Sequence, residues 1–224
     1  MDPEPLWLTL RLATLTTLIL FVIALPLAYW LAFTRFRGRS IIEAIIGMPL
    51  VLPPSVLGFY LLLAFSPSRA FGQWLESALG LRLVFSFQGL VVASVIYSLP
   101  FMIYPLQAGL QSLPPSLREA SYTLGKSAWT TFFRVLLPNS KSAILTALVL
   151  TFAHTVGEFG VVLMIGGNIP GVTKVASVAI YNEVEALNYD AANQYALVLF
   201  VVTFLILSII YTINNRLLRV RYPA

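Results

Sequence analysis

The chain has 224 residues, 58% hydrophobic and only 10% charged, where a soluble domain carries about 25% charge; its mean hydropathy is +0.86. That balance argues against a water-soluble globular domain and for an all-α integral membrane protein. The absence of cysteine and the single histidine remove disulfides, thiolate sites and a histidine-built metal centre, while the meaning of the net charge of +5 depends on where the basic residues fall.

The acidic start, MDPEP, followed by a long apolar run, does not read as a cleavable signal peptide. Residues 6–33 are apolar for longer than the roughly 20 residues that cross a hydrocarbon core, and Pro26 predicts a bend there. Arg35, Arg37 and Arg39 follow at once. A second apolar run, 41–65, carries Pro49, Pro53 and Pro54 in its middle. These prolines free backbone groups near mid-membrane, which is tolerated only against protein or a water-filled cavity. Ser55 is placed to cap a half-helix reaching Phe65, whose amide-rich N-terminus attracts anions. Two readings stay open: Pro53, Pro54 and Ser55 line an anion path, or the prolines only kink a packed helix. Residues 66–85 form a mixed connector in which FGQWLESALG predicts a short interfacial helix with Trp74 at headgroup depth. A third run, 86–110, is interrupted by Pro100 and Pro105.

Residues 114–138 are polar between two apolar runs. The proline pair ends what precedes it, Ser116 and Glu119 have capping-box spacing, and Gly125 suits the left-handed residue that closes a short helix. Ser127 predicts a cap for a second helix that stops before Pro138. Two short helices with Ala120 and Gly125 at their bend make a knob suited to another protein. The spacing Ala120-x4-Gly125-Lys126-Ser127 also fits a relaxed phosphate-binding loop, but that loop needs a strand before it and more glycine within it. A plain amphipathic linker is the remaining alternative.

Asn139 or Ser140 is expected to cap a fourth run, 140–165. Glu158 is the only acid embedded deep in an apolar run, costly there unless functional or paired. His154, four residues earlier, makes a helical His–Glu contact available. A structural polar contact and a role at a gate or subunit contact both fit Glu158; a direct hold on an anion does not. Gly157 and Gly160 permit close helix approach. No nucleophile–base pair or Gly-rich phosphate cradle stands out, so an enzyme site on this chain is not expected. A polar loop, 166–193, leads to a fifth run, 194–213, and a basic end, NNRLLRVRYPA.

Five spans put the ends on opposite sides. Ten basic residues (Arg35, Arg37, Arg39, Arg118, Lys126, Arg134, Lys141, Arg216, Arg219, Arg221) fall on one side and four (Arg11, Arg69, Arg82, Lys174) on the other. The positive-inside rule then puts the N-terminus outside, the C-terminus and the polar knob inside. The basic excess marks topology rather than a nucleic-acid partner. Residues 1–224 read as one transmembrane domain.

The spacing Glu119-Ala120, Gly125, Leu137-Pro138 resembles the EAA loop of bacterial ABC importer permeases. Together with MPLVLPPSVLGFYLL (48–62) and GEFGVVLMIGGNIPGVTKVASVAIY (157–181), it resembles the molybdate permease type (ModB) within the molybdate, tungstate and sulfate group. Relatives often carry Arg where His154 stands and a second Ala where Ser121 stands. The resemblance implies that Glu119, Ala120, Gly125, Leu137 and Pro138 dock on a cytoplasmic ATPase, and that Pro53, Pro54, Ser55, His154 and Glu158 lie on a path or gate. It implies a pore-forming homodimer in the inner membrane, surrounded by lipid, with two ABC ATPases and an extracytoplasmic oxyanion-binding protein. ATP and Mg would sit on the ATPase, leaving no cofactor on this chain. Tungstate or sulfate/thiosulfate import is the alternative, and an ion-coupled secondary transporter the more distant one.

Overall fold

A computed structural model describes the backbone of residues 1–219 and the side chains of residues 1–212. Arg221 and the side chains of Arg216 and Arg219, used above for the topology, lie outside the described residues. All regular structure among them is helical. The elements are α1 (Glu4–Phe33), α2 (Arg39–Val51), α3 (Pro54–Phe65), α4 (Ala70–Leu79), α5 (Phe87–Gln111), α6 (Pro115–Thr123), α7 (Ala128–Asn139), α8 (Lys141–Val156), α9 (Gly160–Gly166), α10 (Ala176–Glu185) and α11 (Tyr189–Arg219).

Among the described residues, three helices are long and apolar enough to cross a membrane: α1, α5 and α11. Two sharply bent pairs, α2–α3 at 112° and α7–α8 at 77°, bring the number to five if each pair is one span. α1 stays continuous through Pro26, and α5 through Pro100 and Pro105, so these prolines do not divide their helices. Pro53 and Pro54 do: the chain turns by more than a right angle there, which is no simple kink.

α1, α5 and α8 pack together along their lengths. α1 buries Leu8, Leu12, Ala13, Thr16, Leu20, Ala24, Ala28 and Leu31, spaced three and four apart on one face. Its alanines allow close approach, as does Gly109 on α5, where a Cβ would fall 2.1 Å from Ala143 Cβ of α8. The buried apolar side chains form two clusters. One, the far core, joins Leu8 and Leu12 of α1 with Leu90 and Ala93 of α5, Val161 and Ile165 of α9, and Val178 of α10. The other, the loop-end core, joins Leu20 to Leu31 of α1 with Ile46, Met102, Leu106, Phe132 and Leu136.

Several boundaries differ from expectation. The fourth run breaks after Val156 and resumes at Gly160. The loop 166–193 contains α10, and Ala176 N donates to Thr9 Oγ1 of α1 at 2.8 Å. α7 does not stop before Pro138 but passes through it, widening into a π turn over Phe132–Leu136. That wider turn accommodates a residue that cannot donate to the preceding turn. Ser140 is the N-cap residue of α8, as expected, but its hydroxyl donates back to Leu136 O rather than capping the helix, and the Asn139 amide donates to Val135 O.

Candidate functional site: the bent polar loop and the broken helices

α6 begins one residue earlier than its spacing predicts. Pro114 is its N-cap and Pro115 its first residue, and no side chain caps it. Ser116 and Glu119 therefore do not form a capping box; Glu119 and Ala120 are exposed. The helix closes as expected: Gly125 has φ +71°, its amide donates to Tyr122 O at 2.9 Å, and Lys126 N donates to Ser121 O at 3.1 Å. A side chain at Gly125 would meet nothing within 4 Å, so it is the backbone angle that favours glycine there. Ser127 does cap α7, accepting from Thr130 N at 3.2 Å. Ala120 to Thr123 are helical and a helix leads into them, which is not the strand-led geometry of a phosphate loop.

Three contacts that no local spacing announces fix the angle of this knob. Ser121 and Thr131 are buried and share a hydrogen bond of 2.8 Å between α6 and α7, so the serine standing for an alanine stitches the two helices together. Arg118 lies 4.6 Å over the ring of Phe33, at the end of α1, and Tyr29 packs 4.8 Å from Phe132. The knob is thus seated on α1. Tyr122, Leu124, Trp129 and Phe133 remain exposed on it, the last two stacked. Pro138 is exposed and Leu137 half-buried against the loop-end core.

The second feature is the junction of two breaks. Pro53 is the N-cap of α3 and Pro54 its first residue, so Ser55 lies inside the helix rather than capping it. The amides of Val56 and Leu57 both donate to Pro53 O, Pro54 has none, and the Ser55 amide is left free at the helix start. At Gly160 a Cβ would sit 2.9 Å from Pro54 Cβ and 3.1 Å from Ser55 N, so α9 starts against the start of α3. Gly157 makes no such approach. A cavity of about 660 Å³ opens there, lined by Pro54, Ser55, Tyr97, His154, Glu158 and Phe159 among others.

His154 and Glu158 line one cavity but do not bond. α8 ends at Val156, so the two are not a helical turn apart. His154 stacks on Phe101 at 3.8 Å and meets Ser98 Oγ at 3.0 Å through Nδ1. Thr155 donates to Thr151 O, and Ser98 Oγ lies 3.1 Å from Thr155 Oγ1. Every group is satisfied when Ser98 donates to Thr155 and His154 Nδ1–H donates to Ser98. The structure therefore does bring a serine and a histidine together, but Ser98 is fully buried and presents no nucleophile to a substrate. Glu158 is 3% exposed. Both its carboxyl oxygens are sealed without a hydrogen-bond partner. The Ser94 hydroxyl is likewise buried without a hydrogen-bond partner. Glu158 is also not the only acid in an apolar run: Glu43 sits on α2, and its neighbours in sequence give no hint of the Gln107 that it meets.

The model of the family described as "Binding-protein-dependent transport system inner membrane component" matches residues 24–222. The chain is 50% identical over 212 residues, 94% of its length and 93% of the relative's, to the molybdenum transport system permease protein ModB of Azotobacter vinelandii. It is 34% identical over 195 residues, 87% of its length and 70% of the relative's, to the sulfate transport system permease protein CysT of Escherichia coli. Among solved structures it resembles a bacterial ABC transporter involved in alginate import, with TM-score 0.78 at 20% identity, covering 95% of this chain and 78% of that one.

Proposed function

The chain belongs to the binding-protein-dependent transport system inner membrane components, and on that footing we propose that it is the pore-forming permease subunit of an ATP-driven molybdate importer. The observation that carries the substrate is the 50% identity, end to end, with a molybdenum permease; the sulfate permease is more distant at 34%.

In this reading residues 1–224 are one transmembrane domain of five spans, with the N-terminus outside, the C-terminus inside, and the loop 114–138 facing the cytoplasm. Two copies enclose the pore, two ABC ATPases sit beneath them, and an extracytoplasmic protein delivers the oxyanion. ATP and its Mg bind the ATPases. Their closure draws the knobs together and opens the pore outward, and hydrolysis resets it. Glu119, Ala120, Gly125, Leu137 and Pro138 belong to the docking knob; the exposed pair Trp129 and Phe133 supplies it with apolar area. Pro53, Pro54, Ser55, His154 and Glu158 lie on the path or its gate. The free Ser55 amide at the start of α3 offers an oxyanion a hydrogen bond and a favourable helix dipole. Glu158 lines the same cavity, but its carboxyl oxygens are sealed and do not confront the anion.

The test is uptake into proteoliposomes holding the permease, the ATPase and the binding protein. Molybdate entry that needs internal ATP, and that sulfate competes for poorly, is expected. Uptake driven by an ion gradient without ATP overturns the importer reading, and preferential sulfate entry overturns the substrate.

A further inference from the structure

The two halves of the broken helix, α2 and α3, are held to the rest of the protein by different chemistry. α3 is fixed through main chain. At Gly58 a Cβ would lie 2.8 Å from Met164 Cβ and 3.0 Å from Val161 Cα of α9, and Gly160 makes the matching approach to Pro54. Contacts this close leave no second arrangement short of separating the helices.

α2 buries only Ile46 and Pro49, while Ile41, Ile45 and Val51 are more than half exposed. Apart from Ile46 and Ile42 in the loop-end core, its hold on α5 is polar. Gln107 Nε2 donates to Glu43 Oε1 at 2.7 Å, Arg39 Nε donates to the same oxygen at 2.9 Å, and Tyr104 OH donates to the Glu43 carbonyl at 3.0 Å. Gly47 admits the tyrosine, since a Cβ there would come within 2.5 Å of its hydroxyl. Hydrogen bonds of this kind exchange for other partners at small net cost. The cluster is also incomplete, because Gln107 Oε1 is buried without a partner, and an unpaired buried acceptor carries a desolvation cost that re-pairing would remove. Between the halves lie Leu52 and Pro53, both extended. Neither Pro53 nor Pro54 has an amide to brace the joint.

We propose that α2 is the moving half of this broken helix, that Glu43 is the positioning residue latching it to α5, and that α3 stays fixed to α9 through the cycle. The proposal rests on the reading of the chain as an ATP-driven permease. The sequence contains no cysteine, so introduced pairs report without background. Copies carrying spin labels at I45C on α2 and A108C on α5, both exposed positions, are diluted with unlabelled copies in the complex with ATPase and binding protein. The α2–α5 distance is expected to differ between the nucleotide-free and the ATP/vanadate-trapped complex. E43A, in the nucleotide-free complex, shifts the population toward the trapped distance by about tenfold, as one charge-assisted hydrogen bond would, while E43Q, which still accepts from Gln107, does not. In the second arm spin labels at Y60C on α3 and I169C just after α9, both exposed positions, report a distance that is the same in both states. An α2–α5 distance that is the same in both states, an E43A distribution like that of the unmodified latch, or a Y60C–I169C distance that changes with the α2–α5 distance overturns the proposal. Absence of ATP-dependent uptake in the parent complex defeats the functional reading instead, and leaves the E43A and E43Q comparison to judge the latch.

Discussion

The far core and the loop-end core are built on different principles. In the far core, main chain sets the spacing. A Cβ at Gly89 would lie 1.7 Å from Leu83 O, one at Gly72 2.1 Å from Ser66 O, and one at Gly58 3.0 Å from Val161 Cα. In the loop-end core one such approach, Gly109 to Ala143, joins α5 to α8, but the knob itself is held by side chains: Tyr29 against Phe132, Arg118 over Phe33, Ser121 to Thr131. Backbone contacts admit one geometry, whereas side chains re-pair. The end that carries the knob is thus the one able to adjust, and the far end holds its shape.

This contrast predicts a graded response to substitution. The largest effect belongs to Gly89→Val, which drives a branched side chain onto a carbonyl; destabilisation of about 3 kcal/mol or more is expected as early thermal unfolding of the purified complex. Wild-type melting in that variant breaks the comparison. Gly125→Glu comes next. The residue it adds meets open space but must adopt φ +71°, at a local cost of roughly 1–2 kcal/mol. The fold survives, and ATP hydrolysis continues while molybdate uptake falls. Uptake that stays coupled in that variant removes the knob from the docking role. Arg118→Ala is the mildest, removing a cation–π interaction of about 0.5–2 kcal/mol, with uptake reduced by a small factor and the melting temperature little changed. A destabilisation as severe as that of Gly89→Val means the loop end is no softer than the far end.

Much of this was legible in the residues. Apolar runs gave the long helices because burial and bilayer thickness act on composition. The proline pair at 53–54 gave the break, and Gly125 and Ser127 gave the closing and opening of two short helices, because each acts through its own backbone. What stayed hidden depended on partners far along the chain or on competition between neighbouring signals. The capping box at Ser116 gives way to Pro115, which starts the helix one residue earlier. His154 and Glu158 are kept apart by the break after Val156, which no composition signal marks beyond Gly157. Glu43 passes unnoticed in the sequence because its worth comes from Gln107, sixty-four positions away. Pro138 looks like a stop, since a widened helical turn leaves no trace in hydrophobic spacing.

α1 touches both ends of this arrangement. Near its start Thr9 receives the amide of Ala176, and a side chain at Gly171 would reach Glu4; near its finish Tyr29 and Phe33 seat the knob. Its 30 residues make a strut of about 45 Å. A stiff strut carries influence in both directions, and linkage requires the two to be equal. A partner that binds against the start of α1 and shifts it would therefore tilt the knob end by as much as a partner on the knob tilts its binding.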